Sequence, residues 1–237
     1  MQIEINDGLD AAELGQTLVA NRRLQIENIL TPASAEAILA EITANQNWFL
    51  AYNENGQGVE AALAEVQRLP PQQQQALFAQ INRSAGSGNF QYCFMQYAIS
   101  SAIKRGENPG HPLHAFHEFC NGPVWLDFMK TLTGTAGLTH ADVFCTSYSS
   151  GHFLTEHDDI HESRQRVAAY VLNLSKDWKT DWGGHLAFFD ERGDVEQAFL
   201  PRFNTLNVFL VPQAHAVQQV STFAMGRRLS LTGWVYL

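Results

Sequence analysis

Near Gly137 the apolar residues of this chain stop recurring at about 3.6 positions, the helical period, and begin to alternate at every second position, the strand period. That change constrains the fold more than any other feature, because it divides the chain into a helix-rich part, 1–136, and a strand-rich part, 137–237. Strands are predicted at 143–148, at 152–156 after the turn Ser149-Ser150-Gly151, and at 167–174. More are predicted at 185–189, after the turn Asp181-Trp182-Gly183-Gly184, and at 203–211, 214–220 and 228–237. Many short strands at regular spacing indicate a sandwich or a jelly roll. The absence of a repeat at fixed period argues against a propeller or a solenoid.

In the first part, 23–30 alternates like a strand, and Thr31-Pro32 supplies an N-cap followed by proline at the first helical position. The helix it opens carries Ile38, Leu39 and Ile42 and ends near 45–47. Two asparagines and two glycines make 53–58 a loop by composition. Pro70-Pro71 and the glutamines after them lead into Leu77, Phe78 and Ile81, a helix rather than a disordered tract. The aromatic run 89–99 reads as a strand. From Pro112 to Thr131 one helix is expected, with Leu113, Phe116, Phe119, Val124, Leu126 and Phe128 on its apolar face. His111, His114 and His117, spaced by three, are then partly exposed helix histidines rather than a metal site.

A chain of 237 residues suits a single domain with a substantial core, and 45% hydrophobic against 16% charged residues is a globular balance. The net charge of −9 argues against a protein that grips nucleic acid through a basic surface, and leaves a basic protein substrate open. Cys93, Cys120 and Cys145 are too few and too scattered for a disulfide framework or a Cys-x-x-Cys zinc site, so buried thiols in a reducing cytosol are expected. No basic segment followed by an apolar run opens the chain, and no apolar span is long enough for a bilayer. The expectation is a soluble, cytoplasmic protein without a membrane partner.

The chemistry concentrates in Tyr148 to Asp159. His157 and Asp159 are one residue apart, so on an extended backbone both side chains leave the same face. An imidazole and a carboxylate, completed by a second imidazole from His215, form the two-histidine, one-carboxylate set that leaves half the coordination sphere of Fe(II) open. Asp158, between them, is expected to face solvent. Pairing His157 with His161 for zinc would need a helix that the turn-like residues there do not support. His152 and His185 read as ordinary hydrogen-bonded histidines.

Taken in order, Tyr148-Ser-Ser-Gly151, His157-Asp158-Asp159, Trp182-Gly-Gly-His-Leu186, Phe203-Asn204, Arg228-Leu-Ser230 and Gly233-Trp234 resemble the Fe(II)/2-oxoglutarate-dependent dioxygenases, in their prolyl-hydroxylase branch. The likeness covers about 137–237, and Leu24 to Ile42 also resembles the start of that branch. It implies an α+β fold with a mainly β core, a cupin-like double-stranded β-helix with N-terminal helices packed on one sheet. It further implies that His157, Asp159 and His215 hold iron, and that Arg228 meets the far carboxylate of 2-oxoglutarate with the planar fork suited to it. Ser230, two positions on, shares that strand face, and Arg227 faces outward. Tyr148 is expected to lend its hydroxyl to the cosubstrate. Tyr170 is a second such candidate, with a core aromatic as the competing reading, as it is for Trp182 and Trp234. The implied cofactors are Fe(II), 2-oxoglutarate and dioxygen, with ascorbate as reductant. The implied reaction hydroxylates a substrate, first of all a prolyl residue in a protein or peptide, and converts 2-oxoglutarate to succinate and CO2. Retention of Asp159 favours hydroxylation over halogenation. A free amino acid or other small molecule is the alternative substrate, and a cupin-like scaffold without oxygen chemistry the alternative class. Nucleic-acid demethylation is disfavoured by the charge and by the lack of a second arginine after Arg-Leu-Ser.

Overall fold

The computed structural model describes residues 1–237. Helix α1 (Ala11–Asn21) starts at Asp10, whose carboxylate accepts from the amides of Ala12 and Glu13 and so satisfies donors that the first turn leaves free. After β1 (Arg23–Glu27), Thr31 caps α2 (Pro32–Ala44), which stops at Asn45 as its sequence predicts. The next segment departs from the expected loop. Strands β2 (Phe49–Glu54) and β3 (Gln57–Ala62) form a hairpin in which only Asn55 and Gly56 turn the chain, with φ of 55° and 82°. Two left-handed residues in succession give the turn that matches strand twist, and Asn-Gly is its preferred pair. Helices α3 (Leu63–Arg68) and α4 (Pro71–Gly86) follow, then β4 (Tyr92–Tyr97) and α5 (Ile99–Arg105). The single helix expected from Pro112 is two, α6 (His114–Cys120) and α7 (Pro123–Thr133). Pro123 brings no amide to continue α6 but is pre-shaped to begin α7.

The rest is strand: β5 (His140–Ala141), β6 (Phe144–Tyr148), β7 (Phe153–His157), β8 (Arg166–Asn173), β9 (Leu186–Phe189), β10 (Val195–Phe199), β11 (Thr205–Leu210), β12 (His215–Val217) and β13 (Arg228–Tyr236). Besides β5, which is only two residues long, β10 has no counterpart in the sequence reading. Its first four residues are exposed, so no half-buried alternation marks it.

The strands run in the order β1-β11-β8-β13-β6-β4-β7-β12-β9-β10, and the sheet curls until its two ends meet. There the Arg23 guanidinium of β1 donates to Glu196 and, at 2.8 Å, to Gln197 of β10. This is the expected double-stranded β-helix, with helices against one face. Alternation decides which side chains go where. Ala168, Tyr170 and Leu172 of β8 and Leu229, Leu231 and Val235 of β13 join α2, α6 and α7 in one core through Ile38, Phe116 and Trp125. The intervening residues turn into the barrel, where a second core holds Ala169, Val171, Phe188 and Phe209. Gly233 is required on the helix side of β13, since a Cβ there would stand 1.9 Å from the Asp142 carbonyl oxygen.

Candidate functional site

Strands β7 and β12 pair with His157 directly opposite His215, bringing their ring centroids to 4.1 Å. Asp159 completes the group, with one carboxylate oxygen 3.4 Å from His157 Nε2 and the other 3.5 Å from His215 Nε2. The three ligand atoms lie within 4.8 Å of one another. The two residues of His-x-Asp do not converge for the reason that alternation suggests. β7 ends at His157, and Asp159 has a left-handed φ of 66°, so it is a turn beyond the strand that swings the carboxylate back to the imidazoles. Aspartate is among the few side chains that adopt this conformation with any ease.

Each histidine is oriented from behind. His157 Nδ1 lies 3.0 Å from the carbonyl oxygen of Thr155, and His215 Nδ1 lies 2.7 Å from that of Gln213. A carbonyl only accepts, so Nδ1 carries the proton in both and the Nε2 lone pairs face Asp159. Burial, with His157 beside it, holds His215 down at about 4, so the ring is neutral at neutral pH. Burial pushes the Asp159 carboxyl up, but the polar groups around it, the His157 and His215 imidazoles and the Trp234 indole, outweigh it, leaving the group below the usual carboxylate range. Two imidazoles, each anchored from behind at Nδ1, and a carboxylate are a donor set that fits Fe(II).

The same cavity, about 690 Å³, holds Arg228, Ser230 and Tyr148. Arg228 is only 2% exposed, its Nε has no hydrogen-bond partner, and its guanidinium carbon stands 4.9 Å from the Tyr148 ring centroid. Burial lowers its pKa and Tyr148 opposes the shift, while burial raises that of Tyr148 and Arg228 opposes it. A buried guanidinium without a carboxylate is costly, and it fits a ligand that brings one. Ser230 Oγ lies 2.8 Å from Thr146 Oγ1 on β6, which adds a hydroxyl to the same wall. Thr146 is absent from the sequence reading, although its place two residues before Tyr148 puts it on the same strand face. The cavity lining also includes Glu60 of β3, Phe90, Tyr92 and the exposed Ile160. Those residues come from the first half of the chain and from a turn, where no spacing tied them to the site.

Tyr170 is a correction. It lies on the helix-facing side of β8, edge-on to Trp125, and its hydroxyl donates to the Asp142 carbonyl at 2.6 Å. Alternation from Ala169 and Val171, which line the cavity, turns it away, so it is a core aromatic. Arg227 is exposed, and so is Asp158, whose carboxylate accepts from the Ile160 amide. His161 and His152 accept from the backbone amides of Ser163 and Ser149. His114 pairs with the Tyr97 hydroxyl at 2.9 Å, and His111, His114 and His117 are half-buried and gather no metal ligand set. Trp182 packs on Trp178 outside the cavity, whereas Trp234 lines it.

A family profile described as the 2OG-Fe(II) oxygenase superfamily matches residues 143–236, the stretch that carries every ligand candidate above. Over that stretch the chain is similar to the 2OG-Fe(II) oxygenase superfamily. Among curated proteins it is 33% identical over 132 residues to the prolyl 3,4-dihydroxylase OGFOD1 of Ostreococcus tauri, covering 50% of this chain and 25% of that one. It is 30% identical over 123 residues to the mouse prolyl 3-hydroxylase OGFOD1, covering 48% of this chain and 22% of that one. The chain thus spans about a quarter of the length of these relatives. Among solved structures it shares its fold with a Pseudomonas putida prolyl-4-hydroxylase, at a TM-score of 0.62 and 20% identity over 96% of this chain and 98% of the other. A prolyl hydroxylase of Trichoplax adhaerens, solved with a peptide fragment of hypoxia inducible factor, matches at 0.63 and 16% over 95% and 88%.

Proposed function

We propose that this chain is a 2-oxoglutarate-dependent Fe(II) dioxygenase that hydroxylates a prolyl residue of a protein or peptide, with conversion of 2-oxoglutarate to succinate and CO2. One observation carries the reading: a two-histidine, one-carboxylate set and a buried arginine without a carboxylate partner face the same cavity. The kinship with named prolyl hydroxylases supports the substrate class.

His157, Asp159 and His215 would hold the metal, and Arg228 with Ser230, Thr146 and Tyr148 would receive the far carboxylate of the cosubstrate. When bound, iron and 2-oxoglutarate supply oxidation by dioxygen coupled to loss of CO2. The chain's own part is to hold and to exclude. The Thr155 and Gln213 carbonyls keep both Nε2 atoms unprotonated. Phe94, stacked on Tyr148 with centroids 4.8 Å apart, and Leu186, Phe209 and Val217 in the cavity wall keep water from the reacting centre. Phe90, 45% exposed and with its ring centroid 5.4 Å from that of His157, offers an apolar face at the entrance on which a pyrrolidine ring can lie. Cys93, Cys120 and Cys145 are buried and unpaired, in keeping with a reducing compartment such as the cytoplasm.

The test is anaerobic. Fe(II) and then 2-oxoglutarate are added to metal-free protein, and the visible charge-transfer band of the chelate is followed. Wild type and Tyr170→Phe should develop the band, His157→Ala should not, and Arg228→Ala should need far more cosubstrate. A panel of proline-containing peptides then reports the substrate by a mass gain of one oxygen. Iron-loaded, folded protein without the band would overturn the cosubstrate, and a band without gain on any peptide would overturn the prolyl substrate.

A further inference from the structure

Two of the three ligand side chains are held by the main chain two residues before them, at Thr155 and at Gln213. Asp159 has no such arrangement. The residue before it is tied down, its carbonyl accepting from the Gln213 amide and its carboxylate from the Ile160 amide. The Asp159 carbonyl, however, receives a side chain from β8. Arg166 Nη1 donates to it at 3.0 Å and stands 3.8 Å from Oδ1 of the same residue. The Arg166 guanidinium lies over the Trp234 ring, its carbon 3.7 Å from the centroid.

By alternation Arg166 should not be there. Ala168, Tyr170 and Leu172 face the helices, and a residue two places before Ala168 should follow them. The register against β13 shows why it does not. Ala168 pairs with Val235 and Arg166 with Tyr236, leaving Val167 as an extra residue on β8. Val167 packs with the helix-side core, and Arg166 is turned into the cavity. A bulge that re-aims one side chain beside a site is a specific feature, not a flaw in the strand.

We propose that Arg166, held by Trp234, is a positioning residue for Asp159: it fixes the left-handed turn that presents one carboxylate oxygen to each imidazole. The proposal rests on the metal reading of the triad. It also has a sign that separates it from plain electrostatics. A positive charge 3.8 Å from the carboxylate repels a divalent cation, so removing it should tighten metal binding if charge were all that mattered. Positioning makes the opposite prediction.

The probe is Mn(II) alone, with no cosubstrate and no turnover, the free ion being counted by electron paramagnetic resonance. Arg166→Ala should bind Mn(II) roughly 10–100-fold more weakly, the range seen when a ligand's supporting partner is lost. Arg166→Lys, which keeps the charge and loses the planar fork, should also be weaker, and it carries the test should Arg166→Ala not fold. Trp234→Ala should move in the same direction by less, and the double variant should be no weaker than Arg166→Ala, because both act through one contact. Binding by Arg166→Ala or Arg166→Lys that is unchanged or tighter would overturn the proposal, as would additive losses in the double variant. Failure of wild type to bind Mn(II) would be a different result, bringing down the metal reading itself and this proposal with it.

Discussion

At the scale of single residues, Arg228 is the most exacting group in the cavity. A guanidinium 2% exposed with no carboxylate partner costs the ligand-free protein stability, a cost that the carboxylate of the proposed cosubstrate would offset. Replacing it by an apolar residue of similar length should therefore separate stability from function. Arg228→Met is expected to leave the ligand-free melting temperature equal or higher, while 2-oxoglutarate binding in the presence of Mn(II) weakens by about 2–5 kcal/mol. Thermal unfolding and calorimetric titration read the two effects independently. The placement of Arg228 and Ser230 side by side in the cavity was legible because both sit on one regular strand, where a spacing of two means one face. Tyr170 obeys the same rule with the opposite result. Its face could be decided only from its neighbours Ala169 and Val171 lining the cavity.

At the scale of elements, β13 shows how closely a strand's two faces are engaged. Arg228, Ser230, Thr232 and Trp234 line the cavity, while Leu229, Leu231 and Val235 fill the helix-side core. Gly233 lets the Asp142 backbone lie against the strand, where the Tyr170 hydroxyl also binds it. Gly233→Ala should destabilise the protein by about 2–3 kcal/mol through overpacking, seen as a lower urea midpoint with an unchanged slope. Regular elements were legible, and their interruptions were not. The break between α6 and α7, the Asn55-Gly56 hairpin and the Val167 bulge each turn on one or two residues. The pattern around them speaks for continuity, or, at the hairpin, for a loop longer than the one that forms. The His-x-Asp pair is the instructive case. Its convergence was expected from an extended strand, yet the strand stops at His157 and the turn at Asp159 achieves it.

At the scale of the whole molecule, the site makes stability depend on pH. His215 titrates at about 4 in the folded protein against 6.5 for the free side chain, so between those values the unfolded chain binds the extra proton. Its contribution is therefore fully present above about pH 6.5 and lost as pH falls toward 4. Metal-free protein should lose on the order of 2 kcal/mol between neutral pH and about pH 5, and His215→Gln should flatten that dependence. Urea unfolding at the two pH values measures it. Closure of the sheet, with Arg23 on β1 reaching β10, is likewise a property of the whole, since the two partners lie far apart in sequence and neither strand signals the other.

The sequence by itself determined the helix-to-strand division at Gly137, the jelly-roll class, and the residue types that can hold a metal and a carboxylate. Each follows from periodicity or from the chemistry of a side chain, both of which are local. Only the tertiary structure decided which of those residues meet. Register places His157 opposite His215, a bulge turns Arg166 into the cavity, and a hairpin from the first half brings Glu60 to the rim. Such pairings depend on which distant strands share hydrogen bonds, and no local pattern records that choice.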